Sequence, residues 1–290
     1  MLFKKVDFLY NKLEGLFKID GSEKLFLIFF RLTISTIALI EIASLIKDLP
    51  LLFSSAETLI PQELIYLESG YFKYFHPLYQ FIETNGISNI FFPTVTRIYI
   101  GALIFLLLGF FTRYAAGIAL VFQLIIFRSF TPFNYGYDFF LTMSLFYCLV
   151  FPVGYFFSID KKLFNPVLNL GFNYRRVIQI HLAMAYCFSG IAKGLDSGWW
   201  NGNSVWKALA SADNNYHTFP SEIFIIIGIG TILLEFFYPF LVIQKLTRRY
   251  TVFAIILMHM GIAITMDLYA FSAMMIAWNI AAYGRFSTKK

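Results

Sequence analysis

The sequence predicts an all-α fold: a polytopic transmembrane helical bundle of about eight spans, N-in and C-in, with two long outer loops. Three observations predict it. Hydrophobic residues make up 59% of the 290 and charged residues 14%, and the mean hydropathy is +0.68. Soluble domains carry about 25% charged residues, so this chain lacks the polar surface to coat a water-soluble globule. The apolar residues also gather into stretches approaching the roughly 20 that a helix needs to cross a hydrocarbon core. Finally, the basic residues segregate between alternate connections, as the positive-inside rule requires.

Taken in order, residues 1–24 form an amphipathic interfacial segment. Phe3, Phe8, Leu9, Leu13, Leu16 and Phe17 are interspersed with Lys4, Lys5, Lys12 and Lys18, a composition suited to a helix lying among headgroups. No short apolar region followed by a small-residue cleavage site precedes it, so no cleavable signal is read. The domain at 25–284 holds the expected spans 25–47, 95–111, 114–130, 138–157, 174–193, 221–243, 250–267 and 270–284. A short basic tail, 285–290, closes the chain. The outer loops run over 48–94 and 194–220; the second reads GLDSGWWNGNSVWKALASADNNYHTFP. Their aromatic content suits packing at the bundle mouth or an interfacial belt.

With the N-terminus inside, the cytoplasmic connections hold Lys4, Lys5, Lys12, Lys18, Lys24, Arg113, Lys161, Lys162, Arg175, Arg176, Lys245, Arg248, Arg249, Arg285, Lys289 and Lys290. The outer loops hold Lys73, Arg128 and Lys207. The formal charge of +6 is thereby a topology signal and not a nucleic-acid footprint. The bilayer is the partner it implies, with anionic lipid favoured. Cys148 and Cys187 both lie in apolar runs, as packing residues do.

Ionisable groups inside spans cost about 2.5–3.5 kcal/mol each near the bilayer centre, so each needs a reason. In the fifth span Gln179, Tyr186 and Lys193 recur every seven residues, with Ala183 and Gly190 between them. Seven residues at 100° each leave the three within about 40° of one face. Two roles are open to Lys193: an ammonium snorkelling to the outer interface, or an amine acting as a base. Glu235, ahead of Pro239, must be paired or protonated, and Arg31 of the first span is its expected partner. His259 is read either as a hydrogen-bonded structural histidine or as a site residue. Asp138 opens the fourth span, where an N-cap role would account for a carboxylate. His76, His181, His217 and His259 show no metal-ligand spacing.

The stretch QIHLAMAYCFSGIAKGLDSGWWNGNSVWKAL, 179–209, resembles the signature of HTTM-domain membrane proteins, the fold shared with vitamin K-dependent γ-glutamyl carboxylase. Gln179, Tyr186, Ser189 through Lys193, Trp199, Trp200, Gly202 and Trp206 carry the resemblance. NYGYDFF, FFSID, EFFYP and HMGIAITMDLYAFS extend it over most of 25–284. The resemblance implies that Lys193 is a base facing the outer side, one that deprotonates a quinol-like molecule in the carboxylase. Tyr186, Glu235 and His259 then become catalytic candidates, and Gln179, Trp199, Trp200 and Asp138 substrate-binding ones.

Two departures bear on the reaction. The carboxylase has an Asn-Asn-His-Ser element before its fourth span, where this chain reads FNYGYD without a histidine. The chain also ends at Lys290, just after the last expected span, without the carboxylase's large lumenal domain. In both respects it is similar to a small membrane protein that matures a bacterial sporulation-delaying peptide toxin. Two readings follow: an enzyme of the plasma (inner) membrane acting on a lipid-soluble or exported peptide substrate, or a non-enzymatic subunit for maturation, export or immunity of a small peptide with a protein partner. No cofactor is named by the sequence.

Overall fold

A computed structural model of the chain describes residues 23–49, 51, 76–126, 134–166, 171–211 and 218–284. The interfacial segment expected at 1–24 lies outside them, apart from its last two residues. So do the 285–290 tail, 52–75 of the first long loop and 212–217 of the second, with His217. Among the described residues there is no strand; every regular element is helical.

Four helices are long and apolar enough to cross a bilayer: Glu23–Leu45, Ile90–Leu108, Ser221–Ile243 and Lys245–Met266. The chain accordingly has the make-up of an integral membrane protein. All eight apolar segments expected from the sequence overlap helices, but not all are long or apolar enough to meet that criterion. Thr112–Ile126, Gly136–Val150 and Tyr269–Tyr283 have 15 residues each, about 22 Å of helix against a hydrocarbon core of about 30 Å. Tyr174–Leu195 is long enough but carries the polar stripe.

The residues divide into two compact units, Leu27–Asn169 and the remainder. The first holds most of α1 (Glu23–Leu45), then α2 (His76–Thr84), α3 (Ser88–Leu108), α4 (Thr112–Ile126), α5 (Gly136–Val150) and the short α6 (Ile159–Phe164). Helices α3, α4 and α5 pack in sequence order. Helix α3 stops at Gly109, whose φ of +70° lets its N–H reach back to Leu106 O. A Cβ there would lie 2.0 Å from Arg31 Nη1, so only glycine fits. Helix α5 stops before Pro152, which cannot continue it.

Arg31 is fully buried. Its Nη1 donates to the carbonyls of Leu106 (3.3 Å) and Leu107 (3.2 Å), and its Nη2 donates to Phe157 O. The expected pairing with Glu235 is therefore corrected. The guanidinium is held by carbonyls at the end of α3, where the helix dipole is negative, and Glu235 has another partner.

Beside this clasp, Asp160 Oδ1 accepts from Phe111 N (2.7 Å), and its Oδ2 accepts from Thr112 N (2.9 Å) and Thr112 Oγ1 (2.6 Å). The carboxylate thus caps the start of α4 from a distant part of the chain. Phe111 and Phe157 both sit at positive φ, 43° and 45°. For a bulky side chain this costs about 1–3 kcal/mol each, and it persists because Asp160 holds one backbone and Arg31 the other.

The second unit is built on α7 (Tyr174–Leu195), α10 (Ser221–Ile243), α11 (Lys245–Met266) and α12 (Tyr269–Tyr283). Helix α7 packs on α10 and α12, and α11 packs on α10 and α12, so the four close a bundle. Two short helices, α8 (Ser197–Trp200) and α9 (Asn203–Ala210), pack against α10. Helices α7 and α10 approach closely at Gly190, where a Cβ would lie 2.5 Å from Phe236 N.

One end of the bundle is tied by basic and amide side chains on main-chain carbonyls. Arg175 Nε donates to Ala282 O (2.8 Å), Gln179 Nε2 to the same oxygen (2.6 Å), and Arg248 Nε to Val242 O (2.6 Å). Cations at helix C-termini satisfy carbonyls that have no partner within the helix.

Candidate functional site

The buried face of α7 runs through Arg175, Ile178, Leu182, Tyr186 and Gly190, and Lys193 continues it one heptad beyond Tyr186. Glycine at 190 brings α10 close enough for Lys193 to meet Glu235. Lys193 Nζ donates to Glu235 Oε2 at 2.6 Å and to Ser189 Oγ at 2.5 Å. The Lys193 side chain is 19% exposed and that of Glu235 7%. The ammonium lies over the Trp199 ring, 5.1 Å from its centroid, a favourable cation–π contact. The ammonium is partnered by a carboxylate, a hydroxyl and an indole.

Trp199 is positioned by glycines as well. Its carbonyl approaches Gly228 of α10, where a Cβ would fall 2.2 Å from that oxygen. Asp196 caps α8, accepting from Gly198 N (2.9 Å) and Ser204 Oγ (3.0 Å). The backbone bond first, and the hydroxyl second, hold its carboxyl below the usual carboxylate range. Trp200 turns outward, 46% exposed, with its indole N–H on Gly194 O (2.8 Å).

Below this pair lies a second polar constellation, buried among the four helices. Tyr186 Oη and His259 Nε2 are 2.9 Å apart. Asn279 Nδ2 donates to Tyr186 Oη (2.9 Å) and to Met275 O (2.9 Å), and Tyr238 Oη donates to Asn279 Oδ1 (2.8 Å). These contacts set one orientation in the network. The Met275 carbonyl requires the NH2 group of Asn279 on its side, which sets the amide orientation. Tyr186 Oη accepts from Asn279, and the direction of its contact with His259 Nε2 depends on the histidine tautomer. The His259 ring is only 2% exposed, and its Nδ1 has no hydrogen-bond partner. The charges of Glu235 and Lys193 lie within electrostatic reach of Tyr186 and His259, respectively.

Six of the eight sequence-derived candidates take these places, with Lys193, Glu235 and Trp199 in the upper group, Tyr186 and His259 in the lower, and Trp200 at the rim. Gln179 is not brought to them. It sits 14 residues before Lys193, about 21 Å along the helix, and is engaged by Ala282 O. Asp138 belongs to the other unit, where its Oδ2 accepts from Tyr135 N (3.1 Å) in a capping box at the start of α5. His181 leaves the site face, as its position on the helical wheel implies, and its ring meets Trp278 edge-on at 5.0 Å.

Sequence reasoning missed Asn279 and Tyr238. The only trace was an asparagine and a tyrosine inside otherwise apolar runs. Among the described residues no group of three or more His, Cys, Asp and Glu side chains could hold a metal ion. No protein-family model, curated protein or solved structure matches the chain.

Proposed function

We propose that this chain is an HTTM-like membrane enzyme of the plasma (inner) membrane that abstracts a proton from a lipid-soluble, quinol-like substrate or an exported peptide. Lys193 is its base. The observation that carries this reading is the 2.6 Å ion pair between Lys193 and Glu235, set beside the buried Tyr186–His259 pair. A lysine is a base only after losing its proton, and Glu235 is placed to take it. The transfer moves one proton from Nζ to Oε2 and turns two opposite charges into two neutral groups. In an apolar surrounding that change is far less costly than in water, because both ions give up a desolvation penalty together. The amine lone pair then takes the substrate proton, leaving a substrate anion beside the new ammonium. The partial exposure of Lys193 gives a substrate a way in.

The same reading includes eight spans with both termini in the cytoplasm. Sixteen basic residues on one set of connections support it. It puts Lys193, α8 and α9 at the outer face.

A second reading is a non-enzymatic subunit that handles a small peptide with a protein partner. A specific feature favours it: the donors of Lys193 are engaged within the chain, as in a purely structural pair. Replacing Lys193 by Met separates the two. Membrane accumulation of the variant is measured together with mass spectra of lipid and secreted-peptide extracts from a deletion strain carrying it. The enzyme reading expects a folded variant with the deletion strain's extract profile. A folded variant with the wild-type profile supports the subunit.

A further inference from the structure

We propose that the corner joining α3 to α4 holds the headgroup of an anionic phospholipid, at a site in the Leu27–Asn169 unit that takes no part in the chemistry above. A cavity of about 290 Å³ opens there, with Phe111, Tyr114, Tyr155 and Phe164 on its walls and Arg113 and Pro166 at its edge. The aromatic groups are presented outward: Tyr114 is 74% exposed and Phe164 59%. The Phe111 ring contacts two other wall rings, tilted against Phe164 (5.8 Å between centroids) and edge-on to Tyr114 (6.3 Å). Rings of this kind at the end of apolar helices sit at headgroup depth.

Charge selects the occupant. Arg113 lines the cavity and is exposed, and the half-buried Lys161 donates to the carbonyl of another lining residue, Pro166 (3.1 Å). Lys162 follows Lys161 on α6 and is exposed. The carboxylate in the wall, Asp160, does not cancel them. Both of its oxygens are taken by Phe111 N, Thr112 N and Thr112 Oγ1, and its charge lies within electrostatic reach of buried Arg31. One cation, Arg113, therefore lines the aromatic cavity, and two more, Lys161 and Lys162, lie next to its lining residue Asp160 on α6. A phosphodiester with a second hydroxyl or charged group, on apolar chains, matches both parts. The backbone supports the geometry: Phe111 is held at positive φ by Asp160, and Phe157 by Arg31. The aromatic rim therefore does not depend on a lipid to form.

The test uses the full chain, purified from nanodiscs of equal phosphatidylglycerol and phosphatidylcholine, with retained lipids counted by native mass spectrometry. Wild type is expected to retain phosphatidylglycerol preferentially. The exposed pair R113Q/K162Q is expected to lose about thirtyfold in that preference, each residue contributing about tenfold or less of surface attraction. F164E, which sets a carboxylate on the wall without removing a cation, is expected to lose it as well. Control K245Q/R249Q, basic residues of the other unit, is expected to keep it. Equal retention of the two lipids by wild type overturns the proposal. So does an equal loss in the control, which would mean bulk charge alone. Displacement of the lipid by millimolar inorganic phosphate also overturns it, since the site would then be one for a free anion.

Discussion

Two cations, one from each unit, are satisfied in opposite ways: Arg31 is fully buried and Lys193 partly exposed. In the first, Arg31 spreads a planar fork over three main-chain carbonyls, of Leu106, Leu107 and Phe157. In the second, Lys193 meets a carboxylate, a hydroxyl and an indole ring. Arginine keeps its proton under all ordinary conditions, and carbonyls cannot take one. The Arg31 arrangement is a clasp with a single state. Lysine is the weaker base of the two and here faces a carboxylate, so the proposed chemistry can use a second state that Arg31 lacks. A buried cation held by carbonyls is architecture; one held by an ionisable partner can do chemistry.

The largest expected effect breaks the second arrangement by removing one partner. Glu235→Gln leaves a partly buried ammonium without its counter-ion, at a cost of about 3–5 kcal/mol, read as a fall in the detergent melting temperature. Comparable in size is Arg31→Met, which strands the Leu107 and Phe157 carbonyls while Leu106 O keeps its bond from Gly109 N, each stranded carbonyl losing a charged hydrogen bond of about 1.5–3 kcal/mol. Arg31→Lys sharpens the contrast. A point charge cannot span three carbonyls, so lysine is expected to recover little of the lost stability, whereas Lys193→Arg keeps the ion pair and loses chemistry. Smaller is Gly190→Ala, whose methyl would push into the Phe236 backbone and cost about 1–3 kcal/mol of overpacking. It also lengthens the Lys193–Glu235 approach, so product formation is expected to fall more than melting temperature.

The smallest effect is a spectroscopic one. With four histidines in the chain, ¹⁵N spectra compared with those of His259→Asn isolate the His259 ring. Its Nε2 is expected to carry no proton. A protonated Nε2 would mean that Tyr186 accepts from both Asn279 and His259.

Asp196 offers a pH test confined to the α8 cap. Its carboxyl lies below the usual range, so the bonds to Gly198 and Ser204 strengthen the fold above the ordinary carboxylate pKa. That contribution is lost as pH falls through the lowered value. Amide exchange at Gly198 is expected to quicken in acid, and to be pH-independent beyond intrinsic chemistry in Asp196→Asn.

Helix content was legible because apolar runs of 15 or more residues leave few alternatives in a chain so poor in charge. The α7 stripe was legible for the same reason of period: Tyr186, Gly190 and Lys193 share a face whatever surrounds them. Pairing was not. Arg31 and Glu235 are opposite charges in long apolar helices and looked like natural partners, but a linear pattern does not say which helices adjoin. It also gave no hint that a guanidinium would be satisfied by carbonyls freed at Gly109. Gln179 shares the stripe by angle and misses the site by height, since the same face extends over 22 residues of helix. Asn279 and Tyr238 went unread because each is a single polar residue in an apolar run, and their role rests on contacts 41 residues apart.

The most direct test of the Lys193–Glu235 site is the double variant Lys193→Met with Glu235→Leu. Replacing a buried ion pair by apolar groups of similar volume is often neutral or stabilising, so the protein is expected to fold and accumulate as wild type does. The measurement is the extract profile of a deletion strain complemented with it. A deletion profile from this well-folded protein is the predicted result. A wild-type profile would contradict the account, because the pair would then serve the fold alone.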